Sequence, residues 1–272
     1  MDGTRNSILA NDLYARLGTA SAPMVLDVRP GARGADDRVI VSAVQCNADA
    51  EGQWLDHLPT GGPMVVYCAD GGEISRATAA ALNKSGFPGA YLEGGIAGWQ
   101  GRGLPTRRKF DARPHKWVTR ERPKIDRIAC PWLIHRFIDP GAEFIYVPVA
   151  EVLSVAAKTD ATPFDIEGVE FAHEGDRCSF DTFLRIYGIE DAPLDQLATI
   201  VRGADTSRHD LAPQCCGLFA ISLGLSANFH DDHEMLAHGM VMYDALYTWC
   251  RSLQSETHNW PAKTPARQAA RA

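Results

Sequence analysis

The sequence predicts an α/β open parallel sheet with flanking helices over residues 5–107, joined to a second, mainly helical α+β domain over residues 123–254. Three observations carry this. Met64-Val65-Val66-Tyr67 is an apolar, β-rich run that leads through Cys68 and a loop with two glycines into the helix former Ala77-Thr78-Ala79-Ala80-Ala81-Leu82. Short apolar runs alternate with helical stretches on both sides of it, the pattern of a parallel sheet. From Ile125 onward helical periodicity dominates.

A chain of 272 residues can bury two cores, and 45% hydrophobic with 22% charged residues is ordinary for a soluble globular protein. A net charge of −7 argues against a general nucleic-acid binder. No apolar run approaches the length of a membrane span, and Met1-Asp2-Gly3-Thr4-Arg5-Asn6 lacks the basic-then-apolar build of a signal peptide. Seven cysteines without an export signal are expected as reduced thiols in the cytoplasm.

Taken in order, residues 7–18 read as an amphipathic helix with Asn6 or Ser7 as caps. Met24 to Arg29 and Val39 to Val44 read as strands, and Trp54-Leu55 as part of a short helix closed by Pro59-Thr60-Gly61-Gly62. The central strand and its helix follow. Ala90-Tyr91-Leu92 is a third apolar run, and Glu93-Gly94-Gly95-Ile96-Ala97-Gly98-Trp99 turns into a last helix. Ligands of such sheets sit at the carboxyl ends of the strands, and Cys68 is at such an end.

A loop running from a strand end to a helix start aims backbone N–H groups inward, and the helix adds partial positive charge. A thiol in that cradle is expected to be more acidic than free cysteine. The bland reading is a small buried hydrophobe at a strand end.

These residues resemble the rhodanese (sulfurtransferase) domain family. The likeness rests on Leu26-Asp27-Val28-Arg29-Pro30, on Val66-Tyr67-Cys68 with Gly71, and on Leu92-Glu93-Gly94-Gly95-Ile96-Ala97-Gly98-Trp99. It implies a rhodanese-like fold in which Cys68 takes sulfur from a sulfane-sulfur donor and hands it from a persulfide to a small thiol or cyanide. Ala69, Asp70, Gly71, Gly72, Glu73, Ile74 and Ser75 would then form the loop that cradles the anion. Three features depart from the family pattern: Glu73 stands where a basic residue is common, the loop is one residue longer before Ser75, and Val39-Ile40-Val41-Ser42-Ala43-Val44 replaces the usual Gly-His-Ile-Pro-Gly-Ala. A carboxylate there repels anionic donors such as thiosulfate.

Residues 108–122 read as a basic, proline-punctuated, solvated linker. Beyond it a helix is expected over Ile125–Ile138, a strand over Glu143–Pro148, and a helix over 150–158. A small hairpin of Phe164-Asp165-Ile166 with Val169-Glu170-Phe171 comes next, then helices near 179–188, 194–203, 217–227 and 232–253. Residues 255–272 read as a mobile tail. The half from Lys116 to Arg251 resembles the C-terminal domain of the chromate-resistance protein ChrB. The likeness is carried by Arg122-Pro123-Lys124-Ile125-Asp126-Arg127-Ile128-Ala129-Cys130-Pro131-Trp132-Leu133, Phe164-Asp165-Ile166, Gly175-Asp176-Arg177-Cys178-Ser179-Phe180, Val201-Arg202-Gly203-Ala204-Asp205-Thr206 and the Tyr243 to Cys250 string. It implies a role in defence against chromate.

The candidate site residues of this half are Asp126, Arg127, Cys130, Arg177 and Cys178. Arg127 and Arg177 suit bidentate binding of chromate, and Cys130 or Cys178 its reduction. A Zn or Fe site built on His173, with Cys178 or Asp232, is the metal reading. Asp231-Asp232 also suits plain capping of a helix. A buried Asp126–Arg177 ion pair is the structural alternative. Two other functional classes stay open: a non-enzymatic chromate-responsive regulator whose linker meets DNA, and a metal-dependent enzyme in the second half.

Overall fold

The computed structural model describes residues 6–30, 37–46, 62–109 and 115–257. The expected Trp54-Leu55 helix, the middle of the linker (110–114) and the tail from 258 lie outside the described residues.

Five strands make one parallel sheet: β1 (Ser7–Ile8), β2 (Met24–Asp27), β4 (Val44–Gln45), β5 (Met64–Tyr67) and β6 (Gly89–Leu92), in the order β1-β6-β5-β2-β4. All four residues of β5 are buried, as a central strand covered on both faces requires. Helices α1 (Ala10–Arg16), α2 (Glu73–Lys84) and α3 (Gly95–Gln100) flank it. Two elements differ from expectation. Ser7 and Ile8 leave the helix to pair with Tyr91 and Leu92, so Leu9 becomes the cap and no side chain caps α1. The run Val39 to Val44 is broken at Ser42, whose φ of 62° turns the chain. Its first part, β3 (Arg38–Ile40), leaves the main sheet and pairs antiparallel with β7 (Thr106–Arg108).

The supposed linker is structural. β8 (Lys116–Arg120) is the middle strand of a second parallel sheet, β10-β8-β9, with β9 (Glu143–Val147) and β10 (Thr162–Pro163). Trp117, Val118 and Thr119 are fully buried, and Trp117 packs edge-on against Phe164 and Phe171. The basic side chains before it dock too: Arg38 and Arg108 donate to the Gly188 and Ile186 carbonyls at the end of α6 (Ser179–Tyr187), satisfying carbonyls a helix end leaves open.

The helices of the second half are α4 (Asp126–Leu133), continued by a π-helical turn to Ile138, α5 (Val152–Thr159), α6, α7 (Ala192–Asp205), α8 (Gln214–Asn228) and α9 (Asp232–Ser252). The expected hairpin at 164–171 is instead one parallel bridge between Phe164 and Phe171, with Asp165 at φ 54°. One apolar core runs through both halves, from Leu13, Leu17 and Trp99 to Trp132, Phe137 and Tyr247. Gly18 sits where they meet at φ +73°, and a Cβ there would lie 2.4 Å from the Tyr247 ring.

Candidate functional site

Cys68 follows β5 at the carboxyl edge of the main sheet and is 4% exposed. Its Sγ lies 3.2 Å from Ser75 Oγ and donates to Asp70 Oδ1 at 3.5 Å. The loop is shorter than expected. α2 begins at Glu73, so Ala69 to Gly72 form the loop while Glu73, Ile74 and Ser75 are the helix's first turn. An acid at that position suits the helix dipole, which a basic residue would oppose.

The glycine motif after β6 explains itself here. Ile96 N–H donates to the Cys68 carbonyl and Ala97 N–H to that of Ala69, each at 3.0 Å. This contact needs bare backbone: a Cβ on Gly95 (φ +55°) would sit 2.5 Å from the Cys68 carbonyl oxygen, and one on Gly71 (φ +76°) 2.7 Å from Gly94 N. Gly94-Gly95 is thus the clamp that sets the height of the cysteine loop.

The second half gathers a different constellation. Asp126, at the head of α4, is 1% exposed; its Oδ2 accepts from Ser179 N–H at 2.6 Å, and its Oδ1 is buried without a hydrogen-bond partner. His173 Nε2 lies 3.1 Å from Asp205 Oδ2 and 3.5 Å from both Asp126 Oδ2 and Asp165 Oδ1. Asp165 also holds Arg120 and Arg127 at 3.3 Å and accepts from Ser179 Oγ at 2.8 Å. Burial pushes the Asp126 carboxyl above its ordinary range, and the nearby charges of Asp205 and Asp165 add to the shift. Hydrogen bonds to Asp126, Asp165 and Asp205 hold the His173 imidazole well above its usual value. A cavity of about 540 Å³ opens beside the cluster, lined by Arg120, Asp165 and His173 among others.

Several expected partnerships are corrected. Arg177 is exposed on a separate turn, lining another cavity with Arg108, Arg185 and Arg202, so it neither joins Arg127 nor pairs with Asp126. Cys130 and Cys178 are fully buried, and burial together with the charge of Asp126 pushes both thiols well up. The Cys178 side chain serves as the cap of α6. Asp232 accepts from the Arg122 backbone N–H in the first turn of α9 and is not among the acids gathered at His173, while Asp231 caps that helix by accepting from Glu234 N–H. His233 packs on Tyr146 and His238 stacks on Phe229. Arg120 and the gathering role of Asp165 escaped the sequence reading; the one signal available was an acid inside the apolar frame of Phe164-Asp165-Ile166.

Among the described residues no helix is long and apolar enough to cross a membrane. Residues 9–102 match the family model of the rhodanese-like domain, and residues 117–250 that of the ChrB C-terminal domain. Protein ChrB of Cupriavidus metallidurans is 33% identical over 155 residues, covering 57% of this chain and 45% of that protein, so the chain spans less than half of this relative's length. Two solved structures align with lower overall similarity. A rhodanese-related protein from Thermoplasma volcanium is 28% identical, with a TM-score of 0.32 over 37% of this chain and 95% of that one. A thiosulfate sulfurtransferase from Pseudomonas aeruginosa is 28% identical, with a TM-score of 0.32 over 40% and 20%. The chain therefore joins a rhodanese-like domain to a ChrB C-terminal domain.

Proposed function

We propose that this is a cytoplasmic chromate-resistance protein whose rhodanese-like domain carries sulfane sulfur as a persulfide on Cys68. The observation that supports the sulfur chemistry is the clamp: Ile96 and Ala97 N–H, brought close by the bare backbone of Gly95, hold the Cys68 and Ala69 carbonyls, and Ser75 and Asp70 flank the sulfur. Asp70 takes the thiol proton. The thiolate attacks the terminal sulfur of the donor, forming an S–S bond and releasing sulfite from thiosulfate or a sulfinate from a thiosulfonate. An acceptor thiolate or cyanide then attacks the outer sulfur, leaving with it and restoring the Cys68 thiolate. Loop N–H groups and the head of α2 stabilise the persulfide anion as an oxyanion hole stabilises oxygen. Cyanide-dependent thiocyanate formation is the test: Cys68→Ser is expected to abolish it, and equal activity in the variant would remove this half from the chemistry.

A second reading concerns the ChrB domain, as a holder of chromate. One observation favours it: Arg120 and His173 line a single cavity, with Arg127 behind them on Asp165. Equilibrium binding of chromate tests it, with Arg120→Gln expected to weaken binding; binding unchanged by that substitution would count against it.

A further inference from the structure

Asp126, His173 and Asp205 each offer one ligand atom, and those atoms all lie within 4.8 Å of one another. We propose that they form a binding site for one divalent first-row metal ion in the ChrB domain, a site independent of Cys68.

Four features point to a cation. First, the spacing fits. Ligands at about 2.0–2.1 Å from a tetrahedral centre stand roughly 3.3 Å apart, and His173 Nε2 stands 3.1 Å from Asp205 Oδ2 and 3.5 Å from Asp126 Oδ2. Second, Asp126 Oδ1 is an orphan: a carboxylate oxygen taken out of water with no donor aimed at it. Such a group is costly unless something charged completes it. Third, the charge balances. Asp165 is already matched by Arg120, Arg127 and Ser179, which removes it from the donor set and makes it a positioning residue. The two remaining carboxylates carry the charge that offsets a dication, and the imidazole adds a neutral nitrogen donor. Fourth, the site is open on one side. Asp126 is buried at the base, while the His173 side chain is 42% exposed and Asp205 19%. The cavity along His173 and Asp165 leaves room for water or a ligand in the remaining position, the arrangement of a reactive metal centre rather than a closed structural one.

Oxygen and imidazole donors without sulfur select Zn²⁺, Mn²⁺, Fe²⁺ or Co²⁺ over softer ions. The acids are themselves held in place: Ser179 N–H donates to Asp126 Oδ2 and Ser179 Oγ to Asp165 Oδ1, so the head of α6 orients two of them.

The test uses the full chain, stripped of metal with a chelator and titrated with Co²⁺ and Zn²⁺ by calorimetry and visible absorption. The expected result is one ion per chain, with cobalt d–d bands and no thiolate-to-cobalt charge-transfer band. Asp205→Asn and His173→Gln, both at partly exposed positions, are expected to weaken binding at least tenfold while circular dichroism stays that of the parent. Added Zn²⁺ should raise the melting temperature of the parent and not of either variant. A thiolate charge-transfer band, which would put the ion on the cysteines, would overturn the proposal. So would parent-like affinity in both variants, or no binding by the parent.

Discussion

Tyr14 of α1 donates to Asp191 Oδ1 at 2.5 Å while Tyr247 of α9 donates to Oδ2 at 3.0 Å, so one carboxylate ties the first helix of the rhodanese-like half to the last helix of the other. Burial pushes the Asp191 carboxyl above its ordinary range, and the two phenols oppose that shift. A hydrogen bond to a charged group contributes about 1.5–3 kcal/mol; with Tyr14 half-buried, Tyr14→Phe is expected to cost about 1–2 kcal/mol. The sign with pH is set by the phenol, which lowers the native value that burial raises. The phenol favours the ionised carboxylate, so its contribution is present at neutral pH and shrinks as pH falls through that value. Urea unfolding at about pH 7 and about pH 4 checks this; an equal loss at both would show that the bond is insensitive to the charge of Asp191.

Glu73 opens α2 and is exposed beside the cysteine loop. Its carboxylate stabilises the helix head by about 0.3–1 kcal/mol and, at the same place, repels an incoming dianion. Glu73→Gln is therefore expected to raise kcat/KM several-fold for thiosulfate and less for a singly charged thiosulfonate, with the gap narrowing as salt is added. Steady-state kinetics with both donors at low and high ionic strength measure it. A gain of the same size for the two donors would mean that charge is not the cause.

The alternation of strand and helix in the first half was legible because it is local: β5 and the Ala-rich α2 declare themselves within a window of a few residues. Lys116–Arg120 was not, because its charged ends and flanking prolines hide a triplet, Trp117-Val118-Thr119, that is buried on both faces. The split of Val39 to Val44 turned on one positive φ at Ser42, which β-branched neighbours conceal. Within the second half, Asp231 as a helix cap was readable from position alone. The His173 cluster was only half readable. It draws Asp126 from the head of one helix, Asp205 from the end of another and Asp165 from an irregular bridge, and no sequence spacing links residues that the fold alone brings to one point. Cys178 and Asp232, paired with His173 on proximity in sequence or on chemistry, are used up by helix starts instead.

The clamp on the cysteine loop can be tested apart from the cysteine. Gly95 has φ +55°, and a Cβ there would lie 2.5 Å from the Cys68 carbonyl oxygen and 2.6 Å from Gly71 N, both backbone atoms that move only if the loop moves. Gly86 has φ +86° with nothing within 4 Å of its Cβ position, so Gly86→Ala pays the strain without the collision. Each substitution is expected to cost on the order of 1 kcal/mol from the left-handed backbone, and Gly95→Ala more because of the clash. Sulfur transfer should separate them: Gly86→Ala retains it, and Gly95→Ala loses at least a hundredfold while the far-ultraviolet spectrum stays that of the parent. Transfer at parental rates in folded Gly95→Ala would mean that the bonds from Ile96 and Ala97 do not set the reactive position of Cys68.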